Sequence, residues 1–157
     1  MSFKRFSIFG ACGVLLFLTA CGSSASSSKV LSACSVISSE QISSITGIQV
    51  GDGSTDDSVH DSLCVWRTEG HPGEVAVLVG SPHSASEFET RVADAPASFG
   101  VATPVKIAGA SKAVEFGDYG TVIMVINDRL EQVQQLLGSN VSPTVHRDLA
   151  QAVAAHS

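Results

Sequence analysis

The first 21 residues determine which part of the chain can form a folded domain. Two basic residues lie near the start, residues 8–18 are mostly apolar, and Cys21 follows two small residues. A stable membrane-spanning helix needs about 20 apolar residues, so this stretch is too short to cross a bilayer. Its layout is that of an export signal. We therefore predict a signal peptide over residues 1–20 and an extracytoplasmic location for the rest.

The four residues that end at Cys21, Leu18-Thr19-Ala20-Cys21, resemble the bacterial lipobox. In that motif the cysteine sulfur receives a diacylglyceryl group and the chain is cut just before it. The resemblance implies that Cys21 is lipidated and anchors the protein to the cell membrane. Two acyl chains bind a protein stably to a bilayer, whereas a single chain binds it only marginally. An uncleaved signal anchor and a nearby cleavage that leaves a free thiol are the alternatives.

Residues 21–31 hold the lipidated cysteine and a Ser-rich tether, "GSSASSSK", which has too little apolar surface to fold. Residues 32–157 are the size of one domain. The whole chain has a formal net charge of −6. Cleavage of the signal peptide would remove Lys4 and Arg5 but no acidic residue, so the mature chain would be more negative still. A surface this acidic excludes nucleic acid as a partner, because phosphate contacts need lysine and arginine.

Outside the signal peptide and Cys21, only Cys34 and Cys64 remain. An exported domain with two cysteines is expected to join them, because its compartment lacks the cytosolic reductants. A metal or redox pair is the alternative, but the chain has no CxxC spacing and no histidine at ligand spacing from either cysteine. We predict one disulfide, Cys34 to Cys64, which joins the first helix to the sheet beside Trp66, and no metal site.

Three segments have the apolar spacing and the terminal residues of helices. The first begins with a capping-box pattern, Ser38 and Gln41, and the second with a similar pair, Ser84 and Glu87. The third lies within residues 142–156, where three apolar residues are spaced four apart. We expect helices near both ends of the domain and one between.

Five segments favour strands: residues 63–68, 74–80, 103–109, 111–117 and 121–126. Alternation in the first places Cys64 and Trp66 on one face of the sheet. The second follows turn residues, so it is the expected hairpin partner of the first. The last is continuously apolar, which is typical of a central buried strand. The elements together predict an α+β domain with a mostly antiparallel sheet covered by helices.

Residues 128–137 are compatible with two structures. Leu130, Val133 and Leu137 have helical spacing, which favours a helix. Asn127 and Asp128, however, directly follow a predicted strand and can form a tight hairpin turn, after which the segment would return as a strand. Apolar periodicity alone favours the helix.

These motifs together resemble an actinobacterial, mycobacterial-type family of cell-envelope lipoproteins that is catalogued as a domain of unknown function. The resemblance rests on Cys34-Ser35-Val36-Ile37, on a first helix that ends in Thr-Gly, and on Cys64-Val65-Trp66-Arg67, where Val65 replaces the usual serine of the family. It implies a lipid-anchored α+β domain with one disulfide and favours a strand at residues 128–137. It implies no enzymatic activity.

The chain lacks the motifs of an envelope hydrolase. It has no GxSxG or HExxH, and its one SxxK match falls in the tether. The acidic residues 51–61 begin with calcium-loop spacing, but Asp57 stands where such a loop needs glycine and Leu63 where it needs glutamate. We expect a solvated loop there, with weak cation binding as the alternative, and we predict no catalytic residue and no cofactor.

The function predicted from these observations is a non-enzymatic module that binds an envelope protein or a small lipophilic ligand. One alternative is a lipid or glycolipid carrier, which needs an apolar pocket between the sheet and the helices. The second alternative is a hydrolase whose catalytic residues follow no recognised motif.

Overall fold

A computed structural model describes residues 31–56, 61–70, 72–137 and 141–157. The predicted signal peptide, Cys21 and the tether up to residue 30 lie outside this part of the chain, as do Asp57, His60 and His71. No helix in the described ranges is long and apolar enough to cross a membrane.

Seven strands form one sheet in the order β1-β2-β3-β7-β6-β5-β4. Each neighbouring pair is antiparallel. This confirms the α+β prediction. The strands are β1 Ser54–Asp56, β2 Ser62–Arg67, β3 Glu74–Val79, β4 Thr103–Pro104, β5 Lys112–Phe116, β6 Thr121–Ile126 and β7 Arg129–Leu136.

Three helices cover the sheet: α1 Ser39–Thr46, α2 Phe88–Ala93 and α3 Val145–Ala154. We call the face under α1 and α3 the inner face; it carries Cys64, Trp66, Val77, Met124 and Val133, all within one buried cluster. The outer face carries a second buried cluster, where α2 packs on Phe116, Ile123, Val125 and Leu130.

The predicted start of α1 is confirmed. The Ser38 hydroxyl accepts a hydrogen bond from the Gln41 amide at 3.2 Å, and the Gln41 side chain accepts one from the Ser38 amide at 2.9 Å. Gly47 ends the helix in the left-handed conformation, with φ of 71°. All the signals for this helix lie within ten residues, which is why the sequence alone located it.

The predicted capping box at Ser84 is wrong. Ser84–Glu87 forms a 3₁₀ turn before α2, and no side chain caps either element. Ser84 is buried instead, and its hydroxyl accepts a hydrogen bond from the Leu130 amide at 2.8 Å. A buried amide needs a partner, so Ser84 stabilises the start of β7 rather than the start of a helix.

Residues 128–137 contain a strand, as the resemblance favours and apolar periodicity does not. Asn127 and Asp128 have φ of 47° and 63°, the left-handed conformations of the tight turn that suits a twisted hairpin. Leu130 and Val133 are both buried but lie on opposite faces of the sheet, in the outer and inner clusters. Because this strand is buried on both faces, its apolar residues have the spacing that is expected of a helix.

The disulfide between Cys34 and Cys64 is confirmed, with the two Cα atoms 5.2 Å apart. Cys34 lies in the 3₁₀ turn Ala33–Ser35, so the bond joins β2 to the turn before α1 rather than to α1 itself. It lies beside the tryptophan as predicted: a Cβ on Gly53 would come within 2.7 Å of both Cys64 Sγ and an atom of the Trp66 ring.

Candidate functional site

The described elements that pack on the outer face cover only half of it. Elements around α2 lie over β5, β6 and the start of β7, and no described element lies over β2, β3 and the rest of β7. Most side chains there are half-buried, and that of Leu136 is 39% exposed. We call this surface the open face; it consists of Leu63, Val65, Arg67, Glu74, Ala76, Leu78, Gln132, Gln134 and Leu136.

Strand register arranges the open face in three rows. Each row holds one residue from β2, one from β3 and one from β7, directly opposite one another. The first row is Leu63, Leu78 and Gln132, the second is Val65, Ala76 and Gln134, and the third is Arg67, Glu74 and Leu136. Successive rows are two residues apart, so the first and third rows are separated by roughly 13 Å at about 3.3 Å per residue.

The apolar residues of the open face are unusual for its position. An antiparallel sheet normally presents polar residues on a face that solvent reaches. Leu63, Val65, Ala76 and Leu78 are apolar, although the alternate residues of the same strands already fill the core on the inner face. A contiguous apolar patch with a polar rim is typical of an interaction surface.

A groove of about 530 Å³ lies at one end of the open face, beside α2. Ile123, Gln132 and Phe99 line it with apolar and amide groups. One wall of the groove is polar. Residues spaced three or four apart along the helix lie on the same side of it, and here they are Glu87, Thr90, Arg91 and Asp94. We call it the α2 groove.

A second groove, of about 440 Å³, lies at the other end of the open face. Its lining includes Arg67, Glu74 and Leu136, which are the third row, together with Pro72 and Gly73 from the β2–β3 turn. We call it the turn groove. Both grooves fall within the size range of binding clefts, and the open face connects them.

Acidic residues predominate around the open face. Asp56 shares the row of Leu63, Glu74 lines the turn groove, and Glu87 and Asp94 line the α2 groove. Asp61 accepts a hydrogen bond from the Ser81 amide at 3.1 Å and lies 3.9 Å from the Arg91 guanidinium. Among the described residues around the open face, two cations, Arg67 and Arg91, stand against these five carboxylates.

A separate polar cluster on the inner face joins α3 to β5. Glu115 accepts two hydrogen bonds from the Arg147 guanidinium, and His146 Nε2 lies 3.2 Å from Glu115 Oε2. The bonded Arg147 holds the pKa of Glu115 below its usual range. In the described part of the chain no hydroxyl or thiol is bonded to His146, so the cluster has the geometry of a structural tie rather than of an activated nucleophile.

Glu131 is a second buried carboxyl on the inner face. It lies directly opposite Val79 in β3 and Met124 in β6, and it is 1% exposed. The Ser157 hydroxyl donates to its Oε2 at 2.9 Å. Burial among apolar side chains raises the pKa of Glu131 to about 7.

The acidic stretch 51–61 is not simply a loop. Ser54–Asp56 forms β1, an exposed edge strand that pairs with β2, because the preceding glycine lets the backbone pass close to Trp66 and Cys64. Among the described residues no group of three His, Cys, Asp or Glu side chains could hold a metal ion.

Of the residues predicted to matter, the structure brings Cys34 and Cys64 together and does not include Cys21. The open face was not predicted. Its signal in the sequence is that β2 and β3 carry apolar residues at both alternate positions, which an antiparallel sheet with one solvated face does not require.

Comparison of the chain with protein-family models, curated proteins and solved structures finds no match. The resemblance to the actinobacterial lipoprotein family therefore stays a prediction. The candidate surface is defined by the geometry of the described residues alone.

Proposed function

We propose that the protein is a lipid-anchored, extracytoplasmic and non-enzymatic module that binds a partner protein through the open face. The lipobox resemblance at Cys21 supports the anchor. The observation that carries the binding role is the apolar open face, which connects two grooves and is left uncovered by the described elements. Burial of such a face by a partner would be favourable in proportion to the apolar area removed from water.

A protein partner fits this surface better than a lipid chain does. Between the inner face and the helices, fully buried residues such as Trp66, Ile42 and Leu149 fill the space that a lipid carrier would use. The α2 groove has apolar residues on its floor, but its wall carries Glu87 and Asp94. Charged side chains at the edge and apolar ones at the centre are the usual arrangement of a protein interface.

The point at which the described chain begins is consistent with an accessible open face. Leu31, the first described residue, packs against the inner-face cluster next to Ala33 and Cys34. The chain thus enters the domain on the side of the sheet opposite to the open face. A membrane anchor attached there leaves the open face available to other envelope proteins.

Photo-crosslinking in intact cells tests the surface. A photoreactive amino acid at Leu136 on the open face should give a discrete, higher-mass adduct. The matched control is Val101, an exposed apolar residue outside the open face, 83% exposed against 39% for Leu136. Because Val101 is the more accessible of the two, equal adduct patterns at both positions would show that capture reflects exposure alone and would reject the open face as the binding surface.

The anchor is tested by Cys21→Ala. We expect the variant to leave the membrane fraction or to accumulate as an unprocessed precursor, because the residue that accepts the lipid is gone. Fractionation followed by mass spectrometry of the N-terminus measures both outcomes. Cys12→Ala is the control and should be processed normally, since Cys12 lies inside the predicted signal peptide. Mature, lipid-modified protein from Cys21→Ala would refute the anchor.

A further inference from the structure

The rim of the open face indicates the charge of the partner. We infer that the occupant of the open face is a basic segment of the partner protein, with apolar residues over the open face and lysine or arginine at the end that enters the α2 groove. This inference rests on the function proposed above and adds the chemistry of the bound segment.

The carboxylates of the α2 groove support basic residues at the end of the occupant that lies there. In the α2 groove, Glu87 and Asp94 make no ion pair with any described residue, whereas Arg91 lies near Asp61. In the turn groove, Glu74 lies directly opposite Arg67. Arg67 and Glu74 therefore offset each other at the turn groove, whereas the charged lining of the α2 groove, two carboxylates and Arg91, is net negative. A cation brought there gains attraction without displacing a partner.

The middle of the open face is apolar and neutral. Leu63, Val65, Ala76 and Leu78 occupy the first two rows, with the uncharged Gln132 and Gln134 beside them. An extended segment of five or six residues covers roughly 16–20 Å at about 3.3 Å per residue, which spans the three rows and reaches both grooves. Its apolar side chains would meet the apolar rows, while its basic end would meet the acidic α2 groove.

Two other occupants fit less well. A second copy would bring the same acidic rim, and the chain as a whole has a net charge of −6, so the two rims would repel each other. The chain's own tether meets the domain at Leu31, whose side chain packs on the inner face. A basic partner segment is the occupant that the charges and the placement of Leu31 favour.

A designed peptide, acetyl-Lys-Lys-Val-Leu-Val-Lys-Lys-amide, is a suitable probe. We would titrate it into the full lipidated protein in a nonionic detergent and follow the backbone amide resonances by NMR. The expected shifts map to β2, β3 and β7, and they weaken when the salt concentration is raised, because the attraction is between partly exposed charges. The same peptide with glutamate in place of lysine is the reference and should not bind.

Paired variants test the rim. Glu87→Gln with Asp94→Asn should weaken binding of the basic peptide roughly threefold to tenfold, as expected for two exposed charge interactions. Glu89→Gln with Asp148→Asn removes the same charge from residues that do not line either groove, and it should leave the affinity unchanged. All four residues are exposed, so the amide spectrum of each double variant should show an intact fold.

Three results would overturn the inference. The basic and acidic peptides could shift the same open-face amides equally, the Glu89/Asp148 control could weaken binding as much as the rim variant does, or no open-face amide could shift. If any of these occurs while Leu136 still gives its crosslinked adduct, the basic-segment inference fails and the proposed function stands. Failure of the crosslink at Leu136 would remove both.

Discussion

Replacing Cys34 with alanine should lower the free energy of unfolding by about 3–4 kcal/mol. The bond closes a loop between residues 30 positions apart. In the chain-entropy model, a loop of this length restricts the unfolded state by an amount that corresponds to about 3–4 kcal/mol. For a domain of this size, that loss lowers the midpoint of thermal unfolding by something on the order of 10 °C.

Cys64→Ala supplies the control for this prediction. Either substitution removes the same bond, so the double variant should be about as stable as either single variant, and the two effects should not add. Urea unfolding of the single and double variants, together with wild-type protein with and without reductant, measures this. A reduced wild-type protein as stable as the oxidised one would contradict the prediction.

Glu131→Gln should stabilise the protein at neutral pH. Burial raises the pKa of Glu131 to about 7 in the folded state, whereas an unfolded chain ionises it near its ordinary value of 4.5. Between these two values the unfolded state loses its proton and the folded state keeps it, so stability falls as pH rises through this range. A difference of this size corresponds to about 3 kcal/mol at 1.36 kcal/mol per pKa unit.

The pH dependence distinguishes this effect from a change in packing. Glutamine keeps the shape of Glu131 and can accept the hydrogen bond from the Ser157 hydroxyl, but it has no charge to bury. The stability gain over wild type should therefore be large at about pH 7.5 and close to zero at about pH 4. Chemical unfolding at several pH values checks this, and a gain of equal size at both pH values would show that ionisation is not the cause.

Glu115→Gln is the matched variant with the opposite sign. Glu115 lies on the same face of the sheet, but its bonds from Arg147 lower its pKa in the folded state. Its carboxylate therefore stabilises the protein above the pKa of the unfolded chain, and that contribution is lost as pH falls through the lowered value. Two buried glutamates on one face thus respond to pH in opposite directions, because Arg147 donates hydrogen bonds to Glu115, whereas burial outweighs the weaker effects of Ser157 and Arg129 at Glu131.

This contrast bears on the proposed function. The inner face holds both glutamates and serves stability, since α3 closes over it and Arg147 and Ser157 satisfy the carboxylates. The outer face differs, because α2 covers half of it and leaves apolar side chains beside two grooves. Substitutions on the open face are expected to change binding more than stability, whereas substitutions at Glu131 and Glu115 should do the reverse.

Local signals in the sequence determined the elements whose causes lie close together along the chain. The capping box of Ser38 and Gln41 starts α1, and Gly47 ends it, because each partner is within one helical turn of the other. Alternation in β2 placed Cys64 and Trp66 on the buried face. The disulfide followed from composition and from the predicted compartment, because two remaining cysteines have only one way to pair.

Tertiary structure alone decided the features that depend on position in the sheet. β7 has buried residues on both faces, so its apolar spacing imitates a helix until its neighbours β3 and β6 are known. Ser84 has the sequence pattern of a helix cap, yet its hydroxyl accepts a hydrogen bond from the buried Leu130 amide instead. The open face exists because α2 has only six residues and covers half a sheet, and the area that a helix covers depends on its length and placement rather than on any local motif.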